Sequence, residues 1–371
     1  MISGVKTTDG SMVLPSDPSE VASNEVIQLR EWGTDCVYML PEPPLSDRLS
    51  DPPPEWVVGT AEGCVVRLID PSVLPRHAQL DYYRHQWWIR ALGNAAGLRE
   101  DGTPRGEFAL VPGAEISVGP TTLIAESPRS IALRDFCARL LGWGDDHMPA
   151  VDHALRAIRL AVACRSPLIL RGEGDLVPIA YALHRHTLGV GAPFVVCDRR
   201  RQTVEASVRS LANEERGVVA FKAAAGGSLC MKSQLPHDFA ELLARLHEPD
   251  SRVELIVCPS RNDHRNCFAA PVPICVPPLR ERAVELQRIV EEYAAEAIAA
   301  LRPVRPEERF TADDLQWLLT ARRRRSRRSK RPPCASWRSG RRRTSALLLH
   351  GSAWRRSHWL GGSIAARNYG Q

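Results

Sequence analysis

The hydrophobic pattern of the chain changes its period near residue 130, and this change constrains the fold more than any other feature. Before that point, short apolar runs are separated by turn residues, which predicts β-strands joined by tight connections. After it, amphipathic stretches with helical spacing alternate with short runs that are apolar on both faces. The 371 residues are therefore predicted to form two domains of different class.

The first part indicates a β-sandwich over residues 25–127. The clearest strands are predicted at 64–69, 86–92 and 115–118. The connections carry Asp-Pro, Gly-Asn, Asp-Gly and Pro-Gly pairs, which favour turns. Several short strands at this spacing are typical of a sandwich. Residues 1–24 are rich in Ser, Thr, Asp and Pro without periodicity, which predicts a flexible leader.

The second part, residues 130–320, indicates a parallel sheet with helical connections. Runs that are apolar on both faces are typical of buried parallel strands, and parallel strands need crossovers that are usually helices. Thr311 and Asp314 together predict the start of one further helix. The predicted helices cover 151–164, 176–186, 239–246 and 281–301, and the predicted strands cover 167–170, 193–196 and 253–257.

The charge of the chain is unevenly distributed. Residues 321–371 carry fifteen Lys/Arg and no Asp/Glu, so the first 320 residues hold 34 basic and 43 acidic residues, a net of −9. The formal net charge of +6 therefore gives no reason to expect nucleic-acid binding by the folded part. Two interpretations of this Arg/Ser/Trp-rich tail stay open: a disordered basic tail, or an out-of-frame translation of a once helical C-terminus.

The ten cysteines indicate reduced core thiols. None forms Cys-x-x-Cys, and no pair brackets a His-x₃₋₅-His, so no metal site is expected. The N-terminus lacks an apolar signal region, and no run approaches 18 apolar residues, so no membrane association is expected. The predicted location is cytoplasmic.

Two segments of the first part resemble the signature of the forkhead-associated (FHA) domain. Asp70 to Ala78 places a His-Ala pair at His77, and 112–119 reads Pro-Gly-Ala-Glu-Ile-Ser-Val-Gly. The resemblance covers about 55–125. It implies a β-sandwich that binds protein partners, with His77, Gly93 and Gly119 as structural residues.

The family binds phosphothreonine peptides through loop groups that this chain largely lacks. Charge-assisted contacts to a phosphate dianion are strong, so their loss matters. Arg76 and Asn94 remain as candidate phosphopeptide contacts, although Arg76 is also read as a solvated surface residue. We expect a protein partner without strong phosphothreonine dependence. At the positions where the family has Arg, Ser, Arg and Asn, this chain has Thr60, Leu74, Pro75 and Ala96.

The second part resembles the sigma-54-interaction-type AAA+ domain of bacterial enhancer-binding transcriptional regulators. The segment 168–177 is similar to the P-loop turn, 226–231 to the strand before the Mg²⁺ carboxylates, and 277–282 to the Pro-Pro-Leu-Arg-Glu-Arg that enters the lid. The resemblance implies a P-loop domain with a helical lid, an ATP/Mg cofactor and homo-oligomerisation. The lid motif is Leu279, Arg280, Glu281 and Arg282.

The residues that hydrolyse ATP in that family are missing from this chain. The turn at Gly172, Glu173 and Gly174 is short and has no Lys, so these residues are at most a vestigial nucleotide site. Lys232 and Ser233 stand where two carboxylates would organise Mg²⁺ and water. We therefore expect no catalytic residues, no enzyme activity and no resident cofactor.

The expected fold class is α+β multidomain: an FHA-like β-sandwich, an α/β P-loop AAA+-like domain with a helical lid, and a disordered basic tail. The leading functional hypothesis is a signalling and transcription-regulation protein that acts as a non-hydrolysing interaction scaffold. The alternative is an ATP-binding sigma-54-dependent activator with atypical catalytic residues. The tail also predicts non-specific, salt-dependent nucleic-acid binding. An unrelated α/β domain stays open for the second part.

Overall fold

A computed structural model describes residues 24–42, 55–93, 97–189, 191–198, 216–233, 235–259 and 272–301, with residues 313 and 316. The predicted leader up to residue 23, Asn94, the start of the helix at Thr311 and the basic tail lie outside the described residues. Close approaches between Cα atoms divide the chain into two units. The first unit contains residues 1–138 and 143–159, and the second contains 139–142 and 160–371.

The first unit contains two β-sheets. The six-stranded sheet has the order β2-β1-β11-β10-β7-β8, and the five-stranded sheet has the order β4-β3-β5-β6-β9. The strands are β1 (Gln28–Glu31), β2 (Val37–Met39), β3 (Trp56–Gly59), β4 (Val66–Arg67), β5 (Ala78–Tyr83), β6 (Gln86–Ala91), β7 (Leu98–Glu100), β8 (Thr103–Pro104), β9 (Glu107–Ala109), β10 (Glu115–Val118) and β11 (Thr121–Glu126).

Alternating apolar residues of both sheets form one core. In β10, Ile116 and Val118 are buried while their neighbours are only half-buried, as expected for a strand with one face inward. Trp87 lies between Trp56 and Tyr82, with ring centroids 5.0 and 5.1 Å apart in edge-to-face geometry. The predicted β-sandwich is confirmed. The strand predicted at 64–69 is much shorter, since only Val66–Arg67 pair with β3.

Two helices follow the sandwich, α1 (Pro128–Leu141) and α2 (Met148–Ala163), with a 3₁₀ turn at Asp145–His147 between them. Ser127 and Ser130 cap the start of α1 reciprocally. The Ser127 amide donates to Ser130 Oγ at 2.7 Å, and the Ser130 amide donates to Ser127 Oγ at 3.2 Å. This pairing satisfies two backbone donors at the helix start.

The second unit contains a parallel sheet of five strands in the order β13-β14-β15-β12-β16. The chain leaves β12 for β13 at the far edge, returns strand by strand to β15, and then crosses to β16 on the other side of β12. The predicted parallel sheet is present. Its strands are β12 (Leu168–Arg171), β13 (Phe194–Asp198), β14 (Ser228–Ser233), β15 (Glu254–Pro259) and β16 (Ile274–Cys275).

Within the described residues 160–301, four helices belong wholly to the second unit. Phe221, Leu242 and Met231 are among the buried residues that join two of these helices to the sheet. Leu286 begins the last helix, five residues after the predicted start at 281, because the intervening residues form turns. None of the helices that the structure describes has both the length and the apolar character needed to cross a membrane. The helices are α3 (Val177–Leu188), α4 (Arg216–Ala223), α5 (Phe239–Leu246) and α6 (Leu286–Leu301).

Candidate functional site

Three connections of the sandwich meet at one end of the five-stranded sheet. The register pairs Val58 with Ala78 and Ala78 with Ala91, so the end of β3, the start of β5 and the end of β6 lie side by side. Gly59 allows this approach, because a Cβ at that position would lie 2.3 Å from the Pro75 carbonyl oxygen. The loops after β3 and before β5 are therefore in backbone contact.

His77 ties these loops together. Its amide donates to the Val58 carbonyl at 2.9 Å, and its carbonyl accepts from the Leu92 amide at 2.9 Å. Its buried ring accepts a hydrogen bond from the Leu74 amide at Nδ1, 3.3 Å away. Burial lowers the pKa of His77 by desolvation, which favours the neutral ring that can accept this bond. The structure thus places His77 as a scaffold residue.

Gly93 and Gly119 lie in neighbouring turns of the sandwich. Gly93 is the second residue after the end of β6 and has φ of 59°. Gly119 makes the turn between β10 and β11 with φ of 62°, and its amide donates to the Gly97 carbonyl at 3.2 Å. A side chain at Gly119 would meet both an unfavourable backbone conformation and Val73 Cγ2 at 3.4 Å.

The loops after β3 and before β5 carry apolar and acidic groups. The Thr60 amide donates to the Leu74 carbonyl at 3.2 Å, so a hydroxyl and an exposed leucine are neighbours at the loop rim. Ile69, which precedes the same loop, is 93% exposed. Asp70 accepts from the Ser72 hydroxyl and amide, which lower the pKa of its carboxyl and keep it ionised. An ionised carboxylate in this loop repels a phosphate.

Arg76 is the one phosphopeptide candidate whose position the structure gives. Its guanidinium forms an exposed ion pair with Glu55, 2.6 Å from the carboxylate oxygen. This pair raises the pKa of Arg76, chiefly through the hydrogen bond to Glu55. Asn94, the other candidate, lies outside the described residues.

The first unit is thus a two-sheet β-sandwich with three connections gathered at one end of its five-stranded sheet. Residues 56–119 match the family model of the FHA domain. The chain therefore contains an FHA domain, a module of signalling proteins that binds protein partners.

Several solved FHA structures are similar to this part of the chain. One, studied for its phosphothreonine-dependent interactions, is 21% identical, with a TM-score of 0.23 over 27% of this chain and 93% of that one. The FhaA FHA domain complexed with the intracellular domain of Rv3910 is 21% identical, with a TM-score of 0.22 over 26% and 96%. The Mycobacterium tuberculosis Rv1747 FHA-1 domain is 15% identical, with a TM-score of 0.21 over 28% and 98%. No curated protein matches the sequence.

The second unit has its candidate site at the carboxyl edge of the parallel sheet. Because the strand order reverses at β12, the turn after that strand lies at a topological switch point, where open α/β sheets bind ligands. This turn contains Gly172, Glu173 and Gly174, the residues that the sequence indicated as at most a vestigial nucleotide site. Gly174 has φ of 86°.

Two ion pairs cover this turn. The Lys232 ammonium at the end of β14 lies 3.0 Å from Asp175 Oδ1, and the same oxygen accepts from the Val177 amide at 3.2 Å. The Arg280 guanidinium lies 2.6 Å from the Glu173 carboxylate, and the hydrogen bond to Glu173 raises the pKa of Arg280. The structure thus brings the turn, the end of β14 and the Leu-Arg-Glu-Arg segment together within the second unit.

The last residue of the Leu-Arg-Glu-Arg segment is an internal anchor. Arg282 is buried and donates to the carbonyls of Arg139 and Leu140 at 2.8 Å each, while its Nε lies 2.6 Å from Glu285. A guanidinium at the carbonyl end of α1 satisfies acceptors that the helix leaves open. Leu279 and Glu281 of the same segment are exposed.

A buried polar network that the sequence did not indicate lies between α3 and the sheet. The Ala192 carbonyl can only accept, so His184 donates to it through Nε2 at 3.1 Å and accepts from Ser228 Oγ at Nδ1, 2.8 Å away. Glu254 Oε2 lies 3.3 Å from Ser228 Oγ. In a nucleophilic triad the histidine lies between serine and carboxylate, whereas here the buried serine lies between them, so the network is structural.

The cysteines and acidic groups of the described residues do not assemble a metal site. No group of three or more His, Cys, Asp or Glu side chains is arranged to hold an ion within the described part of the chain. The eight described cysteines are free thiols. Cys230 and Cys258 lie on adjacent strands with their sulfurs 3.9 Å apart, and their contact and burial raise the pKa of Cys230 well above its usual value.

Proposed function

We propose that this chain is a signalling protein of the transcription-regulator type whose FHA domain binds a protein partner without strong dependence on phosphothreonine. The observation that carries the proposal is the hydrogen bond between the Thr60 amide and the Leu74 carbonyl. It fixes a hydroxyl and an apolar side chain side by side at positions where the FHA family has the Arg and Ser that hold phosphate.

The energetic consequence of these two replacements is large. A hydrogen bond to a charged group contributes about 1.5–3 kcal/mol. The loss of two such contacts should therefore lower the preference for a phosphorylated over an unphosphorylated peptide by more than about a hundredfold. The nearby Asp70 carboxylate weakens the attraction further, while exposed Ile69 and Leu74 favour an apolar partner surface.

FHA domains as a class bind phosphorylated partners, whereas our proposal expects little dependence on phosphorylation. Direct measurements of peptide binding distinguish these two possibilities. A degenerate phosphothreonine peptide library and its unphosphorylated counterpart are titrated against the full chain by fluorescence anisotropy. We expect affinities that differ by less than about tenfold. A preference of more than about a hundredfold for the phosphorylated library contradicts the proposal.

For the second unit we propose a non-hydrolysing interaction scaffold. The turn after β12 carries no lysine, and Lys232 and Ser233 stand at the end of β14 where a metal-binding carboxylate pair would be needed. An ATP-binding sigma-54-dependent activator with atypical residues is the second candidate, and it is favoured by the glycine turn at the switch point of a parallel sheet. Turnover of MgATP by the full chain at about 1 per second or faster supports the second candidate.

Homo-oligomerisation through the second unit and non-specific nucleic-acid binding through residues 321–371 complete the proposal. The fifteen positive charges of that tail predict an affinity that falls steeply with salt and does not depend on sequence. Deleting residues 321–371 should abolish DNA binding at low salt. Unchanged DNA affinity after the deletion removes the tail from the proposal.

A further inference from the structure

The hairpin of β5 and β6 ends in a strained two-residue turn. Tyr83 pairs with Gln86, so Arg84 and His85 alone connect the two strands. Their φ values are 52° and 60°, which is the left-handed conformation at both positions. Turns of this kind favour Asn-Gly, because a Cβ makes the left-handed conformation unfavourable for most residues. Strain is concentrated at functional sites, so the exposed side chains of this turn are candidates for binding.

The turn displays an arginine that is stacked on an exposed tyrosine. The Arg84 guanidinium lies over the Tyr83 ring, 5.0 Å from its centroid, and Tyr83 is 57% exposed. Asp81, on the same strand, pairs with Arg90 instead, at 3.7 Å. Within the part of the chain that the structure describes, Arg84 therefore has no carboxylate partner. Arginine and tyrosine are the residue types that often dominate binding at protein interfaces.

A tryptophan lies on the same face of the sheet as this tyrosine. The register pairs Tyr82 with buried Trp87, and directly paired residues share a face. Because side chains alternate along a strand, Tyr83 and Trp88 both lie on the opposite, outer face of the sheet. They are diagonal neighbours across the two strands, a separation that aromatic side chains can bridge.

An exposed valine completes the apolar surface beside the turn. The Gln86 side chain donates to the Leu110 carbonyl at 3.4 Å, which brings the end of β9 to the hairpin. The next residue, Val111, is 47% exposed. The surface therefore combines aromatic and apolar groups with one unpaired cation. We call it the hairpin patch, and it consists of Tyr83, Arg84, Trp88 and Val111.

The hairpin patch lies at the end of the five-stranded sheet that is opposite to the FHA loops. Ala78 pairs with Ala91 at the loop end of the β5–β6 pair, and Tyr83 pairs with Gln86 at the other end. The length of β5 separates these two ends by about 16 Å. A peptide bound at the loops therefore leaves the hairpin patch open.

We propose that the hairpin patch is a second protein-binding surface, and that its partner is a peptide segment with a carboxylate next to an apolar side chain. The carboxylate pairs with the Arg84 guanidinium, and the apolar side chain packs on Tyr83 and Val111. The turn holds the guanidinium and the ring in place before binding, which lowers the entropy lost in the complex. This inference does not depend on the peptide binding that we propose for the FHA loops.

The test exposes the full chain to an array of short unphosphorylated peptides in which Asp or Glu adjoins Leu, Ile or Phe. A second array carries Asn or Gln in place of the acidic residue, and we expect weaker binding to it. The peptides that bind are then titrated by fluorescence anisotropy. The basic tail attracts acidic peptides equally in every variant, so differences between variants report on the hairpin patch.

The Arg84→Asn/His85→Gly variant should change affinity and stability in opposite directions. It should bind the acidic peptides at least about tenfold more weakly, because the guanidinium is gone. Its Tm should rise by a few degrees, because Asn-Gly adopts the turn without strain. A turn with a purely structural role would not combine these two effects. Unchanged affinity, or a Tm that does not rise, overturns the proposal.

Arg105→Gln is the matched control for the loss of charge. This exposed arginine already pairs with Glu100 at 2.8 Å, so its removal should change peptide affinity by less than about twofold. The Thr60→Arg/Leu74→Ser variant should also bind the acidic peptides as the wild type does, which distinguishes the hairpin patch from the FHA loops. An equal loss in Arg105→Gln contradicts the role of the patch.

Two further outcomes overturn the proposal. One is an array in which no acidic peptide binds in a way that depends on Arg84. The other is binding that appears only after residues 1–22 are deleted, because the occupant is then the leader of the same chain and not a partner. The chain enters β1 near the hairpin, since Glu25 accepts from the Tyr82 hydroxyl at 2.8 Å, so this deletion is part of the test.

Discussion

Arg30 of β1 and Asp152 of α2 form an ion pair with both side chains completely buried, although 122 residues separate them in the chain. The same guanidinium donates to Glu126 at 2.9 Å, and Asp152 also accepts from the Gly33 amide at 2.7 Å. Arg134 lies 2.9 Å from the Glu126 carboxylate and balances the second negative charge. Residues 148–159 of α2 are thus bound to the sandwich within the first unit.

Replacing Asp152 with alanine should destabilise the first unit by about 3–5 kcal/mol, because it leaves a buried guanidinium with one of its two carboxylates missing. The desolvation cost of Arg30 is then no longer offset. Urea unfolding followed by tryptophan fluorescence measures this loss. Asp81→Ala is the control, since its ion pair with Arg90 spans 3.7 Å at the surface and should contribute at most about 1 kcal/mol. Equal losses in the two variants contradict the buried role of Asp152.

The Arg30–Asp152 ion pair could not be predicted from the sequence, although parts of the sandwich around it could. The strand 115–118 could be predicted residue by residue, because its alternation reports its own burial. Arg30 lies in a Gln-Leu-Arg-Glu strand, whose charges predict an exposed face. Its burial depends on a carboxylate from a helix far along the chain, and periodicity carries no information about such partners. The helix α1 was not predicted because Ser and Arg interrupt its apolar face.

Restoring the family residues at the loop rim should create phosphothreonine recognition. The Thr60→Arg/Leu74→Ser double variant places a guanidinium and a hydroxyl at neighbouring positions, and each charge-assisted contact should raise affinity for phosphothreonine peptides by about tenfold or more. Anisotropy titration with the phosphorylated library measures the gain. Affinity for the unphosphorylated library should not change. If the double variant gains nothing, loop conformation and not residue identity prevents phosphate binding.

The stability of the second unit should fall as the pH drops below about 6.5, the pKa of histidine in an unfolded chain. Desolvation lowers the pKa of His184 in the folded state, so between that lowered value and about 6.5 the unfolded chain binds more protons. The stabilisation is therefore complete above about pH 6.5 and is lost towards the folded-state pKa. Urea midpoints at pH 7.5 and 5.5 measure the change. His184→Gln should be less sensitive to pH than the wild type, and an equal pH dependence contradicts this assignment.

Three segments that meet at the carboxyl edge of the second unit's sheet could be named from the sequence, but the contacts between them could not be predicted. The order of three segments along the chain indicated which of them form the candidate site. These segments are the glycine turn, the residues after 226–231 and the Leu-Arg-Glu-Arg motif. Nothing in the string distinguishes Arg280, whose guanidinium lies on the surface beside Glu173, from Arg282, which is buried against the end of α1. Arg280 and Arg282 are only two residues apart, and their environments differ because the chain forms turns at residues 279–285.

That difference gives a direct comparison of the two arginines. Arg282→Met should destabilise the second unit by about 2–4 kcal/mol, because the Arg139 and Leu140 carbonyls lose a charged donor and the ion pair with Glu285 is removed. Arg280→Met removes only exposed ion pairs, with Glu173 and Glu281, and should cause a much smaller loss. Chemical unfolding of both variants, with hydrogen exchange at the carboxyl end of α1, measures the effect. If the two variants lose equal stability, or exchange at α1 is unchanged in Arg282→Met, the guanidinium does not hold this helix end.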